Sequence, residues 1–79
     1  MNSTLILAEA QKINSCLLSM RSKNAEKYNS LLQDAEKKIF IRKIETSLLL
    51  MEFGGEVNVE ELKISMEENK DLIQNEILM

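Results

Sequence analysis

No histidine, no proline and no tryptophan occur in this chain of 79 residues, and its one cysteine is Cys16. Each scarcity removes a class of chemistry. Without histidine, and with a single thiol, no zinc or other transition-metal set can be assembled. The Ser-His and Cys-His pairs of nucleophilic catalysis go with it. A lone cysteine forms no internal disulfide, and that usage suits a reducing compartment. Uninterrupted apolar runs reach only four residues, as in LLLM at 48–51, far short of the roughly 20 that span a membrane. The opening MNSTLILAEAQ places no basic residue ahead of its short apolar run, so it does not read as a signal peptide. The expectation is a cytoplasmic chain with no membrane span, no cofactor and no enzymatic activity.

Glycine is almost as scarce, confined to the adjacent pair Gly54 and Gly55. A chain without proline and with one glycine pair reads as long helices with one obvious stop. Ile6, Ala10, Ile13, Leu17 and Met20 line one helical face by their 4-3-4-3 spacing, with Ser3 or Thr4 as the cap. Continuing that row would bury Asn24, Lys27 and Asp34. The next coherent row is Tyr28, Leu32, Ala35 and Ile39, rotated by roughly a quarter turn. Two readings account for the change of phase: a tight turn near residues 22–25, with Ser22 or Asn24 as cap, or one bent continuous helix. The turn is adopted here. From it a second helix runs to Phe53, its apolar row shifting again to Ile41, Ile44, Leu48 and Met51. Gly54 or Gly55 supplies the left-handed residue that ends it. Asn58 followed by Glu61 forms a capping box, with Val57 and Leu62 as its hydrophobic staple, and opens a third helix. Its row of Val59, Leu62, Met66, Asn69, Ile73 and Glu76 is the least apolar of the three. The fold class expected is all-α: an antiparallel helical hairpin with a third C-terminal helix, in one domain over 1–79, with helices at about 4–22, 25–53 and 59–77.

Charge is divided along the chain. Residues 1–55 hold eight Lys and Arg against six Asp and Glu, whereas residues 56–79 hold two against seven. The third helix is therefore expected to set Glu60, Glu67, Glu68 and Asp71 beside Lys37, Lys38, Arg42 and Lys43. Nucleic-acid binding asks for a basic face with stacking aromatics; KKIFIRK at 37–43 is better read as a solvated helix side, so no nucleic-acid partner is expected. Adjacent carboxylates such as Glu60 and Glu61 diverge by about 100° on a helix and do not converge on a substrate. Cys16 reads as a small buried apolar group, Asn69 as a polar residue at the wet edge of the bundle, and Tyr28 as a ring over the end of the first helix. The stretch LLLMEF differs. Five of its six residues are apolar, so a helix carrying it must be covered on more than one side. Together with the IFI at 39–41, it makes Ile39, Phe40, Ile41, Leu48, Leu49, Leu50, Met51 and Phe53 the candidate protein-interaction residues.

With a turn at 22–25, residues 16–51 take on a recognisable outline: a first helix ending in LLSMRSKNAEKY, then Ala25 and Tyr28 three residues apart, then Leu31, Ala35, Ile39 and Ile44. This is similar to the small E-type co-chaperones of type III secretion needle subunits, the YscE-like family, over roughly residues 4–53. The resemblance implies a cytoplasmic, non-enzymatic helical hairpin that pairs with a larger helical-repeat chaperone to hold a secreted subunit as a soluble monomer. Ala25 and Tyr28 would be its turn positions. The acidic helix after Gly55 is a departure from the family's pattern. Two further functions fit the composition: an inhibitor or anti-regulator that sets its acidic third helix into a basic site, and a structural subunit that self-associates as a homo-oligomer.

Overall fold

The computed structural model describes residues 3–78, and no strand occurs among them. Helix α1 covers Ser3–Lys23, α2 Ala25–Leu32, α3 Ala35–Glu52 and α4 Val59–Glu68. A short α5, Lys70–Leu72, leads into a π-helical segment, Ile73–Ile77. None of these helices is long and apolar enough to cross a membrane.

Helix α1 is the element on which the others lie: it packs against α2, α3, α4 and the π-helical segment. Its spacing explains this. Ile6, Ala10, Ile13 and Leu17 recur every three or four residues and are all buried, with Met20 half-buried at the end of the row. The helix already includes Ser3 and Thr4, so neither is its cap; the residues before them lie outside those described.

The turn after α1 is a single residue. Asn24 leaves helical geometry at φ −144°, and its Oδ1 accepts from the Lys27 amide at 3.3 Å. Its own amide closes α1 on the Met20 carbonyl at 2.7 Å while its carbonyl accepts from Tyr28 at 3.1 Å. One asparagine thus ends one helix and caps the next.

The single helix expected over 25–53 is in fact two. Asp34 takes extended backbone at φ −88°, ψ 120°, and its carboxylate accepts from the amides of Glu36 at 3.0 Å and Lys37 at 3.2 Å. A short acidic side chain competes in this way with continuation of the helix and favours a cap instead. The break resets the phase. Tyr28 and Leu31 enter the core from α2, and Phe40, Ile41, Ile44 and Ser47 from α3. Ala35 and Ile39, expected on a core row, are exposed.

Helix α3 ends where the glycines are. The Gly55 amide reaches back to the Leu50 carbonyl at 2.7 Å and the Gly54 amide to Met51 at 3.3 Å, with Gly54 at φ +76°. This pair of bonds is the Schellman motif, and only glycine adopts its left-handed position without steric cost.

Asn58 caps α4, its Oδ1 accepting from the Glu61 amide at 3.1 Å. The capping box closes on one side only, because the Glu61 carboxylate pairs with Lys43 at 3.0 Å. A second ion pair, Lys37 with Glu76 at 3.1 Å, also joins α3 to the C-terminal segments. Charge does dock those segments on α3, but through Glu61 and Glu76. Glu60, Glu67, Glu68 and Asp71, expected to do so, are exposed. Each of the two pairs is partly exposed and worth about 0–1 kcal/mol.

The third helix is likewise interrupted. Asn69 sits at φ −112°, ψ 25°, and its Nδ2 donates to the Ser65 carbonyl at 2.8 Å. Beyond it the Leu78 amide bonds to the Ile73 carbonyl at 2.8 Å, a five-residue step that widens the helix. Leu62 and Ile73 of the expected row are core, joined by the flanking Leu72 and Ile77, whereas Asn69 and Glu76 of that row are half-buried. Complete burial of one such aliphatic side chain contributes about 1.5–3 kcal/mol.

Candidate protein-interaction surface

The eight candidate residues separate by depth and direction. Phe40 and Ile41, at 2% and 0% exposure, are core, so they leave the interaction surface: the break at Asp34 turns both into the core. Ile39 is 64% exposed, but on the α4 flank, where it borders a groove with Glu36, Lys43, Glu68 and Asn69. Leu50 stands over the loop that follows α3; a Cβ added to Gly55 would come within 3.0 Å of its Cδ2. Met51 is half-buried beside Gln11, Asn14 and Ser15. Phe53, the last residue before the glycine pair, is 78% exposed.

Leu48 and Leu49 face α1. With Leu18 they form the apolar part of a groove of about 470 Å³, bordered by Asn14 and Arg21 of α1 and by Arg42, Glu45, Thr46 and Glu52 of α3. Leu49 is 54% exposed and Leu18 44%, so a strip of leucine stays open to water along this seam. Gln11 and Ser15 lie beside Met51 and Glu52, and Arg21 beside Arg42, so α1 and α3 run in opposite directions. The groove therefore has a basic end at Arg21 and Arg42 and an acidic end at Glu52. Leu18 is the component that sequence reading missed. It flanks the buried row of α1 and gains meaning only when α3 is laid alongside.

A polar network fixes the basic end. The Tyr28 hydroxyl donates to Glu45 Oε2 at 2.8 Å, and Arg42 Nη1 donates to Glu45 Oε1 at 2.9 Å. One carboxylate thus ties α2 to α3 and holds the guanidinium at the groove rim. Burial, and then the hydrogen bond to the carboxylate, push the Tyr28 hydroxyl above the ordinary phenol range. The same carboxylate makes Arg42 harder still to deprotonate, chiefly through their hydrogen bond.

Lys43 approaches Ser65 Oγ at 3.1 Å, a geometry that resembles a serine–lysine nucleophile pair. Glu61 Oε1 lies 3.0 Å from the same Lys43 Nζ, and this ion pair joins α3 to α4. Among the described residues, no cluster of His, Cys, Asp and Glu is suited to hold a metal ion. Cys16 is half-buried against the core and carries no disulfide.

No protein-family model, curated protein or solved structure matches the chain.

Proposed function

We propose that this chain is a non-enzymatic protein-binding module whose docking surface is the leucine groove between α1 and α3. One observation carries the reading: Leu18, Leu48 and Leu49 share a groove in which Leu18 and Leu49 stay exposed while Leu48 is half-buried against the core. Leucine left in water on two adjacent helices is the arrangement that receives an amphipathic helix from another protein. The resemblance to E-type co-chaperones names a partner of this kind, a larger helical chaperone in the cytoplasm, with a secreted needle subunit as the shared cargo.

The test is affinity capture from the native cells, with the recovered protein identified by mass spectrometry and its binding then measured with purified components. Leu18→Asp with Leu49→Asp should abolish that binding while the far-ultraviolet helical signal stays within a few percent of the native chain. Undiminished binding by this folded variant would overturn the proposal.

A second reading has its own observation. Glu60, Glu67, Glu68 and Asp71 are all exposed, and none forms an ion pair among the described residues. That acidic face suits an inhibitor that occupies a basic site. Replacing all four by their amides would abolish binding to such a target and leave binding through the leucine groove intact.

A further inference from the structure

A separate groove of about 470 Å³ runs between the start of α1 and the α4–π-helical segment. Its floor is apolar: Ile6 and Ile73 are buried, and Met66 and Leu78 are half-buried. At its edge Leu5 is 66% exposed, a bulky apolar side chain standing beside the slot that Ile6, Met66, Ile73 and Leu78 line. The two walls differ in charge. The α1 wall carries Glu9; the opposite wall carries Lys63 and Lys70 with Glu67 between them. None of these four charges forms an ion pair among the described residues.

We propose that this groove is the docking site of a second copy of the chain, related to the first by a two-fold axis along the groove. Such an axis exchanges the walls. Glu9 of each copy then faces Lys63 and Lys70 of the other, and Leu5 of each copy enters the slot of the other. Every contact is made twice, as an isologous interface requires. The rim decides for a copy over other occupants. A nucleic acid or an anionic membrane calls for basic walls on both sides, and a basic peptide for acidic ones. Walls of opposite net sign complement themselves. The groove is small against the roughly 800 Å² per partner of a stable interface, so the dimer is weak, with a dissociation constant on the order of micromolar. The leucine groove between α1 and α3 takes no part in this contact and stays free for a different protein.

Sedimentation equilibrium of the full chain over a wide concentration range tests the proposal. The mass should rise from the 9.1 kDa monomer to twice that value and no further. Leu5→Glu, at an exposed position, should keep its helicity and remain monomeric throughout. Glu9→Lys alone, and Lys63→Glu with Lys70→Glu together, should each weaken the dimer by about tenfold, since repulsion replaces attraction at both symmetric sites. Mixing those two variants should restore native affinity, because every cross-contact in the mixed pair is then attractive. A chain that stays monomeric at all concentrations would overturn the proposal. So would growth beyond the dimer, a dimer indifferent to Leu5→Glu, or a mixture no tighter than its components.

Discussion

Asp34→Ala tests the one element boundary that divides the expected second helix. The Asp34 carboxylate satisfies two amides of the first turn of α3, at 3.0 and 3.2 Å, in the place where a helix N-terminus leaves donors unpaired. Removing such a cap costs about 0.5–2 kcal/mol. With two bonds lost, the upper half of that range applies. The carboxylate also opposes the positive end of the α3 dipole, worth a further 0.3–1 kcal/mol or so. Both sites are exposed, and water takes over part of each role, so the expected net loss is about 1.5 kcal/mol. For a domain of this size each kcal/mol moves the melting temperature by about 4–8 °C. Thermal denaturation followed by far-ultraviolet circular dichroism should therefore place the variant about 6–12 °C below the native chain. Asp34→Asn keeps an acceptor and loses only the charge, so it should fall by less than half as much. If 25–52 were one continuous helix, alanine would be the better residue and the melting point would rise by a few degrees. An unchanged or raised melting temperature for Asp34→Ala refutes the capped break.

Tyr28→Phe should cost about 1 kcal/mol at neutral pH, the ordinary worth of a hydrogen bond of this kind. The Tyr28 hydroxyl is held above its usual 10.0 by burial and by Glu45, so the folded value exceeds the unfolded one. Its share of stability is therefore complete below about pH 10 and is lost as pH rises through the folded value. The native chain should lose stability more steeply than Tyr28→Phe above about pH 10 in chemical denaturation, and parallel curves would refute the assignment. Gly54→Ala forces a Cβ into the left-handed region at φ +76°, where nothing lies within 4 Å to clash, so the expected loss is the backbone cost alone, about 1–2 kcal/mol. A loss of helicity in α3 well beyond that cost would show that the turn also directs packing.

The signals that were legible in the sequence were those written in local hydrogen bonding. Asn58 with Glu61, the glycine pair, and Asn24 near the phase change each mark a helix end by the side chain or backbone freedom that the end demands. The face of α1 was legible because an uninterrupted α-helix keeps its 3-4 spacing over its whole length. Asp34 escaped because an aspartate at an apparent core position reads equally as a solvated residue in a helix of slightly different phase; only the burial of Phe40 and Ile41 in the core selects the capped form. The same error moved those two residues onto the expected surface. The C-terminal row was legible in part: Leu62 and Ile73 are core as their α-helical spacing implies, whereas Asn69 interrupts the helix, a π-helical turn widens it beyond Ile73, and the flanking Leu72 and Ile77 are buried with them. The interaction groove was half legible: LLLMEF carried too much apolar surface for one seam, but Leu18 belongs to the groove only by tertiary placement.

The central position of α1 has a consequence for synthesis. Helix α1 is made before Ile73 and Ile77, which lie on the π-helical segment that must close on it. Chains leave the ribosome at roughly 5–20 residues per second, so the apolar row of α1 waits for its full cover while α2, α3 and α4 are produced. During that wait Ile6, Ile13 and Leu17 stand exposed on a nascent helix that cannot yet be satisfied by its own sequence. The chain that is proposed here to shield another protein's helix is, while it is being made, itself a helix in need of shielding.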